Sequence, residues 1–171
     1  MCTKKIIVKN IQVLFLDFDG VLTNNLVHLD QNGKELVSCS RADGLAFDVL
    51  RKLEIPVFII STERNPVVSA RANKLNVKVI QGVFNKVDAV RNIVNQYKFD
   101  INKTLYVGND LNDYYVMRFC GFSLCPADSH PKIKDISDIT LKTSGGNGVA
   151  RELLEDVLSV DFIKILYNVN S

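Results

Sequence analysis

The sequence has few of the features that mark zinc-binding, membrane or nucleic-acid-binding proteins. Its four cysteines form no Cys-x-x-Cys pair and its two histidines lie far apart along the chain, which argues against a zinc site. No apolar stretch approaches the length of a membrane span. The chain also lacks a dense block of Lys or Arg, and its formal net charge is only +2. We therefore expect neither a nucleic acid nor a membrane as partner.

The length and the start of the chain indicate a simple organisation. With 171 residues, 47% of them apolar, the chain can bury a core of its own, and we expect one domain over residues 1–171. The apolar run near the N-terminus leads directly into acidic residues without a small-residue cleavage site. Because free thiols also suit a reducing compartment, a cytoplasmic location is expected. For the tail of about residues 159–171, two alternatives remain open: partial disorder, or packing on a neighbouring subunit.

Short apolar runs alternate with segments of helical periodicity, and this alternation predicts the fold class. The runs are typical of strands buried on both faces and cover residues 13–16, 56–60, 77–80, 104–107 and, more weakly, 122–125. Helical spacing of apolar residues follows within 45–53, 67–75, 87–94 and 149–157, with Pro66 well placed at a helix start. The pattern predicts an α/β fold, a Rossmann-like parallel sheet with helices on both faces.

Residues of about 24–40 interrupt this alternation. They contain two strand-like runs on either side of Asn32-Gly33, a dipeptide typical of tight hairpin turns. We therefore predict a β-hairpin inserted after the first strand. The insertion lies close to the edge at which an open parallel sheet binds its ligand.

Polar residues follow the predicted strands in an order that suggests chemistry. Each alone is typical of a capped turn, a helix start or a solvated surface. Because the carboxyl ends of parallel strands meet at one edge, the set predicts a nucleophile, a phosphate cradle and a divalent-metal site built from oxygen ligands. The residues are Asp17 and Asp19 after the first strand, Ser61 after the second, Lys86 beyond the third, and Asn109, Asp110 and Asp113 after the fourth.

Taken in order, these motifs resemble the four motifs of the haloacid dehalogenase (HAD) superfamily. They are D-x-D-G-V-L-T at 17–23, Ser61, Lys86 and G-N-D-x-x-D at 108–113. Further matches narrow the resemblance to the small phosphatases of this superfamily that have no cap. They are Asn32-Gly33, Asp43-Gly44, Gln81-Gly82-Val83 and the segment 145–152. Those enzymes act on 2-keto-3-deoxy sugar acid phosphates, including 3-deoxy-D-manno-octulosonate 8-phosphate and the nonulosonate (2-keto-3-deoxynononate or acylneuraminate) 9-phosphates. The match covers roughly residues 11 to 158.

The resemblance implies a role for each matched residue. Asp17 would be the nucleophile that forms an aspartyl-phosphate, and Asp19 the general acid and then the base that activates water. Ser61 would donate a hydrogen bond to the phosphoryl oxygens, and Lys86 would neutralise charge. Mg²⁺ would be held by Asp17, the main-chain carbonyl of Asp19 and the fourth motif.

Two further sets of residues follow from the same resemblance. Asn109 stands where the family usually has a metal-binding aspartate, so its amide oxygen would bind Mg²⁺ without a charge; Asp110 and Asp113 are further candidates. On the substrate side, the sugar acid would be bound by Thr23, Glu63, Arg71 and Lys74. Glu63 could accept hydrogen bonds from sugar hydroxyls, while the two cations could pair with the substrate carboxylate.

The function predicted is thus a Mg²⁺-dependent phosphatase of a 2-keto-3-deoxy sugar acid phosphate, active as a homotetramer whose hairpins associate. A second hypothesis is a catalytically weakened assembly module, because the C-terminal module of animal acylneuraminate cytidylyltransferases is also similar and Asn109 is uncharged. A phospho-receiver domain is the third, but that fold carries its acceptor aspartate after the third strand rather than the first.

Overall fold

The computed structural model describes residues 6–167 and contains eight strands, seven α-helices and short 3-10 turns within that range. The strands are β1 (Val13–Leu16), β2 (His28–Leu29), β3 (Glu35–Leu36), β4 (Val57–Ile60), β5 (Lys78–Ile80), β6 (Thr104–Val107), β7 (Phe122–Cys125) and β8 (Ile139–Thr140). The helices are α1 (Ala42–Lys52), α2 (Val67–Leu75), α3 (Lys86–Tyr97), α4 (Tyr114–Phe119), α5 (Pro131–Ile136), α6 (Val149–Glu152) and α7 (Phe162–Tyr167). A π-helical turn at Leu153–Val157 continues α6.

Six parallel strands form one sheet in the order β5-β4-β1-β6-β7-β8. The first strand of the chain is central because both of its faces are apolar. Leu14 and Leu16 pack into one hydrophobic cluster, and Val13 and Phe15 pack into a second cluster on the opposite face. Helices cover both faces, so the predicted α/β class is confirmed.

Local signals explain where the predicted helices begin. Pro66 is the N-cap of α2, and the side chain of Asn85 accepts the main-chain N–H groups of Val87 and Asp88 at the start of α3. The short elements α4, α5 and β8 were not predicted, because six residues or fewer are too short to display a clear period. No helix in the described part of the chain is long and apolar enough to cross a membrane.

The predicted hairpin is present as a two-stranded antiparallel sheet outside the main sheet. At its turn, the Asp30 carboxylate accepts the N–H groups of Asn32 and Lys34, and Gly33 adopts a φ of +76°. Its base is closed by an isolated bridge between Thr23 and Cys39. The hairpin is therefore anchored next to the loop that follows β1.

Part of the predicted tail packs on its own chain, and the two alternatives expected for the tail stay predictions. Residues 162–167 form α7, which packs on α1 of the same chain, and Phe162 is buried. The Lys52 ammonium donates to the main-chain carbonyls of Ile165 and Leu166 at 3.1 and 2.7 Å. The last four residues of the predicted tail, 168–171, lie outside the described residues.

Candidate active site

Three neighbouring strands bring polar residues to one edge of the sheet. Because β1, β4 and β6 are parallel and adjacent, the residues that follow them meet there. Asp17 follows β1, Ser61 follows β4, and the segment 108–113 follows β6. The main-chain N–H of Asp17 donates to the carbonyl of Val107 at 2.9 Å, so the pairing of β1 with β6 extends to the predicted nucleophile.

Lys86, the first residue of α3, lies between two buried carboxylates. Its Nζ is 2.8 Å from Asp17 Oδ2 and 2.7 Å from Asp113 Oδ1. All three side chains are at most 5% exposed, so both ion pairs are shielded from water. The cluster has a formal net charge of −1 when all three groups are ionised, which favours a cation beside it.

Burial sets the protonation of this cluster. It raises the pKa of Asp17 well above its usual range, reinforced by the charge of Asp113 and opposed by Lys86. Burial alone would lower the pKa of Lys86, but Asp17 and Asp113 reverse this effect and raise it. The ammonium is therefore charged at neutral pH. A further positive charge near Asp17 would favour the ionised, nucleophilic form of its carboxyl group.

Tyr106 belongs to this cluster and was missed by the sequence reasoning. Its hydroxyl donates to Asp113 Oδ1 at 2.9 Å, while Asp113 Oδ2 accepts the N–H groups of Asn109 and Asp110 at 2.9 and 3.4 Å. Both oxygens of Asp113 are therefore engaged inside the protein. This arrangement suits an anchor for Lys86 better than the metal-binding role considered for Asp113 from the sequence. A tyrosine within an apolar strand carries no signal that distinguishes it from core.

A tight turn after β1 brings Asp19 to the same edge. Gly20 adopts a φ of +77°, a backbone conformation that favours glycine, and a Cβ at this position would lie 1.9 Å from Asn109 Nδ2. Thr23 Oγ1 accepts the Gly20 N–H at 3.2 Å and lies 3.4 Å from Asp19 Oδ1, to which it donates. Thr23 thus braces the turn that carries both carboxylates.

Asp19 is half-buried, in contrast to Asp17. Burial raises its pKa, and the nearby charge of Glu63 adds to the effect, while the Thr23 hydroxyl opposes it. A carboxyl group with a raised pKa holds a proton more readily near neutral pH, which suits a general acid. The two carboxyl groups of the D-x-D motif therefore occupy different environments.

The residues at this edge fit a divalent cation. Asn109 is 7% exposed, and its Oδ1 is buried without a hydrogen-bond partner, although buried oxygens are normally paired. Among residues 6–167, no group of three or more His, Cys, Asp or Glu side chains could hold a metal ion. A site here would instead combine the Asp17 carboxylate, the Asn109 amide oxygen and the main-chain carbonyl of Asp19. These are the hard oxygen donors that Mg²⁺ prefers.

A cavity of about 310 Å³ opens onto these groups. This volume lies at the lower end of the range that is typical of small-molecule sites. Four of its lining residues, Asn25, Thr62, Leu111 and Asn112, were not predicted as site residues from the sequence. Such residues are common in loops and carry no distinguishing pattern. The cavity is lined by Asp17, Asp19, Asn25, Thr62, Asn109, Asp110, Leu111 and Asn112.

Ser61 and Glu63 lie on the loop after β4. Ser61 is buried, and its Oγ accepts the Glu63 N–H at 3.1 Å, an arrangement in which the hydroxyl can still donate its own proton. Glu63 Oε1 accepts the N–H groups of Arg64 and Asn65 at 2.6 and 2.7 Å. One oxygen of the predicted sugar-binding carboxylate therefore already holds the loop in place.

The two cations predicted to bind the substrate lie on α2 and do not line the cavity. Arg71 is half-buried and donates from Nη2 to the main-chain carbonyl of Ser40 at 2.7 Å, while its Nε is buried without a partner. Lys74 is exposed. The structure therefore brings Asp17, Asp19, Lys86 and Asn109 together, but leaves Arg71 and Lys74 at the periphery.

Known proteins are similar to this chain over most of its length. Residues 58–153 match the model of the haloacid dehalogenase-like hydrolases. The 3-deoxy-D-manno-octulosonate 8-phosphate phosphatase KdsC of Escherichia coli K12 is 32% identical over 151 residues, which are 88% of this chain and 80% of that protein. The corresponding KdsC of Haemophilus influenzae is also 32% identical, over 88% of this chain and 84% of its own length.

Solved structures agree with this relationship. A structure from Streptomyces avermitilis assigned to the HAD family is 33% identical, with a TM-score of 0.91 over 95% of this chain and 93% of that one. The Moraxella catarrhalis 3-deoxy-D-manno-octulosonate 8-phosphate phosphatase, solved with magnesium, phosphate and KDO, is 26% identical, with a TM-score of 0.87 over 95% of each chain. The predicted resemblance is confirmed: the chain belongs to the haloacid dehalogenase-like hydrolases.

Proposed function

We propose that this protein hydrolyses the phosphomonoester of a 2-keto-3-deoxy sugar acid, either an octulosonate 8-phosphate or a nonulosonate 9-phosphate. The predicted enzyme class, a phosphoric monoester hydrolase, is confirmed by its relatives. The observation that carries the proposed chemistry is the buried Asp17–Lys86–Asp113 cluster, whose Asp17 lines the same cavity as Asp19. The proposed substrate class is supported by the similarity to 3-deoxy-D-manno-octulosonate 8-phosphate phosphatases. A catalytic set of this kind has no use in a protein that serves only as a scaffold.

The geometry supports a two-step reaction. An ionised oxygen of Asp17 attacks the phosphorus atom, the bond to the sugar oxygen breaks, and Asp19 gives its proton to that oxygen. The resulting aspartyl-phosphate is then hydrolysed by a water molecule whose proton passes to Asp19, and inorganic phosphate leaves. Lys86 holds Asp17 in position and offsets the charge that approaches it. The Ser61 hydroxyl would donate to a phosphoryl oxygen.

Mg²⁺ is the cofactor that we propose. When bound by Asp17, Asn109 and the main-chain carbonyl of Asp19, it would supply positive charge at the phosphoryl oxygens. The orphaned Asn109 Oδ1 and the net negative charge of the buried cluster support this assignment. Asp110 lines the same cavity and remains a candidate for a further ligand.

A screen of phosphate release with Mg²⁺ tests the proposed function. It should include sugar acid phosphates of eight and nine carbons and, as a control, aldose phosphates without a carboxylate. We expect the two sugar acids to be preferred because Arg71 and Lys74 offer positive charge beyond the cavity. Arg71→Met should raise KM for the sugar acids and leave KM for p-nitrophenyl phosphate unchanged. An equal preference for aldose phosphates would contradict the proposed substrate class.

A catalytically weakened assembly module remains the second candidate. The uncharged Asn109 favours it, because an amide oxygen attracts Mg²⁺ less strongly than a carboxylate does. Wild-type protein that releases no phosphate from any of these esters, with Mg²⁺ in excess, would support the module and contradict the phosphatase.

Asn109→Asp is expected to tighten the binding of Mg²⁺ to the substrate-free protein by roughly tenfold or more, because it adds a charge to the proposed site. Titration calorimetry on wild type and variant measures this difference directly. Asn112→Asp is the matched control, because Asn112 lines the same cavity but is exposed. Equal affinities for wild type and Asn109→Asp would exclude residue 109 as a ligand and transfer the role to Asp110.

We further propose a homotetramer that associates through the hairpin. Four of its apolar side chains are more than half exposed, which is unfavourable for a free two-stranded ribbon. Light scattering should give about four times the chain mass of 19.2 kDa, and Leu29→Glu should give a smaller species. Tyr115→Glu, at an exposed position elsewhere, is the control. A fully active monomer would contradict the proposal. The exposed side chains are Leu26, Val27, Leu29 and Leu36.

The location and the other partners stay predictions. The sequence favours a cytoplasmic protein that binds neither nucleic acid nor membrane, and one domain over the whole chain.

A further inference from the structure

Asp43 is a buried carboxylate that the proposed reaction does not use. It lies in the first turn of α1, is 1% exposed, and accepts the N–H groups of Ala150 and Arg151 on Oδ1 at 2.9 and 3.4 Å. Its Oδ2 is buried without a hydrogen-bond partner in the described chain. The contact joins segments that are 107 residues apart in sequence.

This position is costly for a carboxylate. Burial raises the pKa of Asp43 to about 6, although the N–H groups of Arg151 and Ala150 and the charge of Arg71 oppose the rise. A neutral residue would avoid the desolvation of a charge. A polar atom left unpaired in such a site calls for an explanation beyond stability.

The segment held by Asp43 begins with a glycine loop, residues 145–148, that packs on the catalytic turn. A Cβ on Gly145 would lie 2.3 Å from the main-chain oxygen of Gly20, and one on Gly146 would lie 2.5 Å from the main-chain nitrogen of Asn24. Gly146 N–H also donates to the carbonyl of Val21 at 3.0 Å. The loop therefore contacts the main chain of the turn that carries Asp19.

Two carboxylates secure the ends of this loop. Asp128 Oδ1 accepts the N–H of Gly145 at 2.9 Å, and Asp43 accepts the N–H of Ala150 just beyond the other end. The loop covers residues on both sides of Thr23, whose hydroxyl contacts Asp19. Loss of the Asp43 contact would therefore let the glycine loop shift, which would move Thr23 and with it the Asp19 side chain.

We propose that Asp43 is a positioning residue for Asp19: by holding the glycine loop on the catalytic turn, it keeps the Asp19 carboxyl group where it can protonate the leaving oxygen. Asp43 itself touches no reacting atom. The inference rests on the proposed function, because it requires Asp19 to act as a general acid. An Asp43 that only capped α6 would instead affect stability and would slow all substrates to the same extent.

The dependence of rate on the leaving group tests this. Loss of general acid positioning slows esters of poor leaving groups most, because p-nitrophenolate departs with little need of a proton. For Asp43→Asn we expect kcat/KM, which includes the departure step, to fall about tenfold with glycerol 2-phosphate and less than about threefold with p-nitrophenyl phosphate. Asp48→Asn is the same change on α1 at a half-exposed position, where the carboxylate pairs only with Arg51 among the ion pairs of the described chain, and it should alter neither value.

A second variant alters the same loop at its other end. Gly145→Ala leaves Asp43 intact but places a Cβ against the Gly20 carbonyl. It should reproduce the selective loss with glycerol 2-phosphate, even where Asp43→Asn fails to fold. The inference would be overturned if kcat/KM fell equally with both esters. It would also be overturned if either folded variant kept the wild-type ratio of kcat/KM for glycerol 2-phosphate to kcat/KM for p-nitrophenyl phosphate. A wild-type protein that releases no phosphate from these two esters or from the sugar acid phosphates would instead refute the proposed function, and the inference with it.

Discussion

Asp17→Asn is expected to lower the rate of phosphate release by at least about 10³-fold and to leave the fold in place. The amide lacks the negative charge that attacks phosphorus. Its oxygen can still accept the Phe18 N–H, which contacts Asp17 Oδ1 at 2.7 Å, and Lys86 keeps Asp113 as its partner. Because burial raises the pKa of Asp17, a neutral side chain relieves a desolvation cost.

Phosphate release and circular dichroism, measured on the same samples, check this result. Wild-type protein quenched with acid during turnover should carry a phosphoryl group on the peptide that contains Asp17, and the variant should carry none. Asp48→Asn is the control for the substitution itself, because the Asp48 side chain lies on α1, is 46% exposed and does not line the cavity. Substantial turnover by Asp17→Asn with an unchanged spectrum would exclude the covalent mechanism.

Lys86→Met is expected to lower the free energy of unfolding by about 3–5 kcal/mol near neutral pH, in addition to abolishing activity. It leaves Asp17 and Asp113 buried, close together and without their shared cation. Urea unfolding measures the change. Lys134→Gln, at an exposed position on α5, is expected to change stability by less than about 0.5 kcal/mol.

The pH dependence of the Lys86→Met variant gives a second measure of the same effect. Without Lys86, the pKa of Asp17 in the folded protein should rise further above its unfolded value, because the lysine opposes the rise. A raised folded pKa means that stability is present at low pH and is lost as pH increases through that pKa. The variant should therefore recover stability on mild acidification. Adding Asp113→Asn to Lys86→Met should restore part of the lost stability at neutral pH, because it removes one of the two unpaired carboxylates. A double-mutant cycle that shows no coupling between residues 86 and 113 would contradict this explanation.

Much of the fold and of the catalytic edge could be predicted from the sequence. The uninterrupted apolar run at 13–16 identified a strand buried on both faces, and β1 lies at the centre of the sheet. Residues that follow parallel strands lie at the same edge of the sheet. The positions of Asp17, Ser61 and Asn109 directly after their strands were therefore enough to predict that they lie at that edge. Short helices such as α4 were missed because a helix of six residues shows no clear period.

The buried strands, and therefore the edge of the sheet at which Asp17, Asp19 and Lys86 meet, could be read from the sequence, because period and order along the chain are local properties. Long-range packing in the folded chain sets the partners of individual atoms. It assigned both oxygens of Asp113 to internal hydrogen bonds, left Asn109 Oδ1 without one, and joined Asp43 to Ala150 across 107 residues. Such pairings depend on distances between segments that are remote in sequence, and no pattern within a segment encodes those distances.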